Sequence, residues 1–233
     1  MPSARPTLLL IPGLGVDGRL FLPQHSIDAD IITPALPDPM PFESIGHYAW
    51  RITRDIPSSE NLWIGGMSFG GMLALEAARY LKPRGVVLIA STRYGSNHAL
   101  PFRWLAYFTS AISTRTIKRL LLLAPMLVRI VGRPNRSQRR FLLKLVEDAH
   151  LTLTRWGARE AMKYVYDSSL PCPVYQIHGE IDRLVPVVNV RPDAVIKNAG
   201  HVVNVTHSAE VNELIRRFIQ CKTPPAWPEA LNL

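Results

Sequence analysis

Six short apolar runs, at residues 7–11, 30–33, 62–66, 86–90, 174–177 and 194–197, most limit how this chain folds. Each is rich in Leu or β-branched residues, and each ends near Gly, Pro, Ser or Asn. Segments of helical periodicity lie between them. Runs without polar alternation suit strands covered on both faces. Strands that alternate with helices indicate a parallel sheet flanked by helices. The expected class is therefore α/β, with a mostly parallel sheet of about six strands. Helices are expected over 42–54, over 70–81 (Met72, Leu75, Ala78 and Leu81 near one face) and over 208–219 (Val211, Leu214, Ile215 and Phe218 as the buried stripe).

The connection over 93–170 is far longer than one crossover helix requires. Its pattern predicts helices over 102–111, 116–123, 137–149 and 153–166, with Ser137 as an N-cap. The expected organisation is a sheet core at 1–92 and 171–223, a helical cap inserted at 93–170, and a tail at 224–233 whose prolines cannot continue a helix. The net charge of +9 belongs to the insertion, which carries 14 basic and 4 acidic side chains, about +10, against 13 and 14, about −1, elsewhere. Three readings of that charge stay open: a solvated face; attraction of an anionic substrate or carrier, such as a coenzyme A thioester or acyl carrier protein; and contact of residues 115–129 with acidic lipid. The second reading singles out Arg136, Arg139 and Arg140. Apolar residues of the insertion, among them Phe102, Trp104, Phe108, Leu121, Met126 and Trp156, are available to line an acyl pocket or to pack within the cap.

At 233 residues the chain has room for one substantial core. Cys172 and Cys221 make neither a metal-ligand spacing nor a disulfide framework. A reducing compartment is the simplest expectation, with a single bridge as the alternative. No apolar run reaches the roughly 20 residues needed to span a bilayer, and the first is too brief for a signal-peptide core. The expectation is a cytoplasmic protein without a transmembrane segment. There is no nucleic-acid motif, and the aromatics do not alternate with basic residues, so nucleic acid is not an expected partner. The sequence sets no oligomeric state.

Gly66-Met67-Ser68-Phe69-Gly70 lies between the third run and a helical pattern. A serine on a sharp strand-to-helix turn exposes its hydroxyl, provided the residues two positions away are small. The pattern alone occurs by chance in roughly one chain in ten of this length; its strand–turn–helix setting gives it weight. Here the sequence resembles the α/β-hydrolase fold family, over nearly the whole sheet core and not over the insertion.

Three further segments resemble that family. His178-Gly179-Glu180-Ile181-Asp182-Arg183-Leu184-Val185-Pro186 is similar to the H-G-x-x-D-x-x-V-P segment that carries the acid. Asn198-Ala199-Gly200-His201 is similar to the Gly-His that carries the base. Pro12-Gly13-Leu14-Gly15 stands where the family often has His-Gly. The resemblance implies a catalytic triad of Ser68 as nucleophile, Asp182 as acid (favoured over Glu180) and His201 as base, in the family's chain order. It implies an oxyanion hole from the backbone N–H groups of Leu14 and Phe69, supported by Gly13, Gly66 and Gly70. It implies no metal and no organic cofactor. His178 reads as a structural hydrogen-bonding residue.

Two departures mark a trimmed version of the fold. The antiparallel strands that often precede the oxyanion loop are missing, and only residues 185–192 separate the acid loop from the next strand, where a helix usually lies. The expected function is serine hydrolysis of a small-molecule carboxylic ester or thioester. The same triad serves lactonases, peptidases and carbon–carbon hydrolases, and a binding or scaffold protein that keeps the fold without turnover is the alternative from another class.

Overall fold

A computed structural model describes residues 5–57, 59–100, 132–166 and 168–220. Six strands form one all-parallel sheet: β1 (Thr7–Ile11), β2 (Asp30–Ile32), β3 (Leu62–Met67), β4 (Gly85–Ile89), β5 (Val174–Gly179) and β6 (Ala194–Ile196), in the order β2-β1-β3-β4-β5-β6. The helices between them are α1 (Ile45–Thr53), α2 (Phe69–Leu81), α3 (Arg136–Glu147), α4 (Leu151–Lys163), α5 (Val203–Thr206) and α6 (Ser208–Gln220). The two expected helices at 102–111 and 116–123 lie outside the described residues.

The strands are apolar throughout because both faces are covered. Successive side chains point to opposite sides of a strand. Leu8, Leu10, Trp63, Val87 and Tyr175 accordingly join one core with Phe218 of α6 and Leu142 of α3. Leu9, Ile11, Ile64, Val86 and Leu88 join the other with Tyr48 of α1 and Met72 and Leu75 of α2. Phe218 stacks on Tyr175 and meets the edge of Trp63, so α6 locks onto the β3–β5 half of the sheet through aromatic rings. Gln24, Asn204 and Asn212, all buried, join the 3-10 turns at Gly18–Ser26 to α5 and α6 by side-chain hydrogen bonds.

Several boundaries differ from the sequence expectation, each for a local reason. Helix α1 starts later than residue 42, because Phe42 has a left-handed φ of 59° and Ser44 is the N-cap, accepting from the His47 N–H. Ser137 does not cap α3. Asn135 does, in a capping box completed by Gln138, and the Ser137 hydroxyl donates to the Asn135 carbonyl oxygen Oδ1. Helix α4 ends at Lys163 because Tyr164 turns extended and Val165 bridges to Tyr94. Between the acid loop and β6 stands only the single 3-10 turn Val187–Asn189.

Candidate active site

The sheet order reverses between β1 and β3, since the chain leaves β1 for one neighbour and returns on the other side. The carboxyl ends of strands flanking such a switch are where open α/β sheets place ligands. Pro12–Gly15 follows β1 at that point and Ser68 follows β3. Ser68 has φ 55° and ψ −121°, a conformation that costs a non-glycine residue about 1–3 kcal/mol. The turn is over-determined by close approaches. A Cβ on Gly66 would overlap the backbone of Gly70, and one on Gly70 would overlap the carbonyl oxygens of Ile11 and Pro12. A Cβ on Gly13 would sit 3.2 Å from the Met67 oxygen and 3.4 Å from the Ser68 Cβ, which is tight but open.

The loops after β5 and β6 bring two more groups to the same edge. His201 Nε2 lies 2.9 Å from Ser68 Oγ, and His201 Nδ1 lies 2.8 Å from Asp182 Oδ2. Asp182 and His201 are both buried, whereas Ser68 is partly open. Burial by itself raises the Asp182 pKa; the His201 charge and hydrogen bonds from His178 and His201 outweigh it and hold the carboxyl well below its ordinary range. An ionised carboxylate only accepts, so Nδ1 of His201 donates to Asp182, and Nε2 is the ring atom that faces the Ser68 hydroxyl. The other carboxylate oxygen, Oδ1, accepts from the N–H groups of Leu184 and Val185. Glu180, the competing acid, instead accepts from the Asn198 N–H.

His178 is fully buried beside this pair, donating Nε2–H to the Val185 carbonyl at 2.8 Å with Asp182 Oδ2 at 3.2 Å. His47 pairs instead with Glu43 and His98 with the Gly95 carbonyl. Among the described residues no group of three or more His, Cys, Asp or Glu is placed to hold a metal ion.

A model of the alpha/beta hydrolase family matches residues 8–214. The chain belongs to that family. A comparison with curated protein sequences finds no match. Solved structures resemble this hydrolase across nearly its full length at low identity, a likeness of fold. A thermophilic esterase from Thermogutta terrifontis is 16% identical with a TM-score of 0.71, over 93% of this chain and 91% of that one. A lipase-esterase related protein from Clostridium acetobutylicum is 16% identical with a TM-score of 0.72, over 92% and 95%. An N-acyl homoserine lactonase complexed with N-hexanoyl homoserine lactone is 19% identical with a TM-score of 0.72, over 95% and 92%.

In this hydrolase α4 lies over the turn at Ser68. A Cβ on Gly157 would overlap Leu14 and touch the Phe69 ring, so the missing side chain lets the helix lie on the two residues whose N–H groups the resemblance marks as oxyanion donors. Trp156 beside it packs edge-on to Phe69 and against Tyr48, and donates Nε1–H to the Glu43 carbonyl. Of the apolar residues named for an acyl pocket, Trp156 alone lies within the described residues. Arg136 and Arg140 are exposed on α3, and no described helix is long and apolar enough to cross a membrane. Sequence reasoning missed Gly157, which carries no motif.

Proposed function

We propose that this hydrolase cleaves a carboxylic ester or thioester through an acyl intermediate on Ser68. The observation that carries the reading is the continuous line of hydrogen bonds from Asp182 through His201 to the Ser68 hydroxyl, 2.8 and 2.9 Å long, at the carboxyl edge of the sheet. Ser68 Oγ attacks the substrate carbonyl while His201 Nε2 takes its proton. Asp182 holds the ring in the required tautomer and stabilises the imidazolium. His201 then protonates the leaving alkoxide or thiolate, and next activates the water that frees the acid. The N–H groups of Leu14 and Phe69 receive the oxyanion; a single such donor contributes about 2.7–4 kcal/mol. Phe69 opens α2, so its N–H lacks an intrahelical acceptor. The cycle uses side chains, backbone and water alone.

Residues 93–170 act as a cap in this reading. The support is the seat of α4 on Leu14 and Phe69. Ester and lactone chemistry in the names of the structural neighbours agrees with acyl transfer.

A fluorophosphonate probe and a panel of esters, thioesters and lactones of graded acyl length test the proposal. Wild type is expected to label and turn over, and Ser68→Ala to lose both. Labelling that survives Ser68→Ala removes the nucleophile assignment. A wild type that neither labels nor hydrolyses any member points to the binding-protein alternative.

A further inference from the structure

The Ser68–Phe69 peptide unit has two ends. Its N–H is the Phe69 donor of the proposed oxyanion hole, and its C=O is the Ser68 carbonyl. The peptide is trans, so the two groups point in opposite directions. Strand β3 lies between β1 and β4 in the sheet. The Ser68 carbonyl faces the β4 side, where it accepts the Ser91 hydroxyl at 2.6 Å and the Gly71 N–H at 3.0 Å. The Phe69 N–H therefore faces the β1 side, where Gly13 stands against Ser68.

Ser91 is itself held. It is 1% exposed, its carbonyl accepts from the Gln176 side chain of β5, and it follows Ala90, whose φ is 45°. The Ala90 N–H is anchored to the Ile177 carbonyl, and the Ser68 N–H to that of Ile89. Gly71 leaves the room Ser91 occupies, since a Cβ there would overlap the Ser91 hydroxyl. A carbonyl has no proton to give, so Ser91 is the donor.

We propose that Ser91 is a positioning residue for the oxyanion hole. By clamping the carbonyl end of the Ser68–Phe69 peptide it fixes where the Phe69 N–H points, and by donating to that carbonyl it polarises the N–H at the other end. Hydrogen bonds at the two ends of one amide strengthen each other, so the bond from Ser91 is worth more when negative charge develops at the Phe69 N–H than when a neutral substrate lies there. Removal of Ser91 Oγ then weakens transition-state binding and leaves ground-state binding alone.

This inference rests on the acyl-Ser68 reading, and the experiment separates the two. Ser91→Ala and Ser91→Cys, the latter keeping the shape with a poor donor, are compared with wild type and Ser68→Ala. Active sites are titrated with the fluorophosphonate so that kcat is counted per competent site. In Ser91→Ala, kcat falls about 10-fold, less than the 10²–10³ for losing a direct donor, while KM stays within about twofold. Affinity for a boronic acid that forms a tetrahedral anion on the serine falls in parallel, and Ser91→Cys lies between. A merely structural serine would lower the titrated fraction and the melting temperature but not kcat per site. Unchanged kcat per site and unchanged boronate affinity in a folded Ser91→Ala overturn the inference. If that variant does not fold, the same comparison on Ser91→Cys decides it. Turnover that survives Ser68→Ala defeats the underlying reading instead.

Discussion

The two halves of the candidate site are built by different physics. On the β1–β3–β4 side, backbone does the building. Gly66 and Gly70 admit no Cβ, Ser68 and Ala90 hold positive φ, and carbonyls of neighbouring strands anchor the turns at these last two residues. On the β5–β6 side, side-chain charge does it. Asp182 gathers two backbone N–H groups on one oxygen and faces two imidazoles with the other, in a loop backed by only a single 3-10 turn. Substitutions at the closed glycines Gly66 and Gly70 should register mainly as lost folding, and a substitution at Asp182 as lost chemistry in a folded protein.

Asp182→Asn tests that contrast hardest. The Leu184 and Val185 N–H groups keep the amide oxygen where Oδ1 now sits, so the NH₂ group turns toward His201. His201 Nδ1 must then accept, its proton moves to Nε2, and the ring no longer takes the Ser68 proton. A fall in kcat of about 10⁴-fold is expected, with circular dichroism still showing the native fold. The depressed Asp182 pKa gives a sign as well. The unfolded state binds the proton first as pH falls, so the charged form contributes stability above the ordinary carboxylate range and loses it below. The acid limb of a stability–pH curve should flatten in Asp182→Asn. A variant keeping a tenth of wild-type kcat would break the comparison.

Gly70→Ala is its counterpart. The new methyl meets backbone oxygens that cannot swing aside, so about 3–4 kcal/mol of stability should be lost by denaturant titration. The surviving folded fraction should be the limit on activity. Near-native stability in that variant would mean the turn is slack.

The sheet was readable because burial on both faces left strands with almost no polar letters, and the three segments proposed to carry the triad because each sits where a strand stops. What escaped was whatever depends on a neighbour distant in sequence. Ser91 sits 23 positions from the carbonyl it holds and looks like any serine after a strand. Gly157 reads as a weak spot in a helix until Leu14 and Phe69 lie beneath it. The α3 cap was missed for another reason. Ser137 fits a cap by residue type, although Asn135 with Gln138 three positions on spells the capping box. In α1, nothing in the letters announces the left-handed φ of Phe42.

Glu43 offers a control outside both halves. Its side chain is 1% exposed, bonded to Arg51 through both oxygens and to His47 and the Met40 N–H. Chiefly the Arg51 hydrogen bonds lower its pKa from 4.5 to about 2. The pairing thus stabilises the fold fully above pH 4.5, and that contribution is lost as pH falls toward about 2. Glu43→Gln should cost about 2 kcal/mol at neutral pH, below the 3–5 for breaking a fully buried pair because Arg51 is partly solvated. Its kcat should stay within about threefold, as Trp156 bonds to the Glu43 backbone and not to the carboxylate. A larger kcat effect would join this loop to the chemistry.

The smallest expected effect is the most discriminating for the backbone-built half. Gly13 stands at the same edge as Gly66 and Gly70, yet its added Cβ would lie 3.2 Å from the nearest oxygen and 3.3 Å from the Met67 sulfur, which can move. Its φ is not positive, so alanine brings no backbone strain of its own. Gly13→Ala should therefore lose less than about 1 kcal/mol in denaturant titration. The displacement it does cause falls on the Leu14 N–H, so a few tenths of an ångström should appear as a kcat drop of about 3- to 10-fold with KM nearly unchanged. If Gly13→Ala instead unfolds the protein as Gly70→Ala does, steric closure extends over the whole turn. If it leaves kcat untouched, the Leu14 donor has more latitude than the Phe69 donor, whose peptide is clamped from behind.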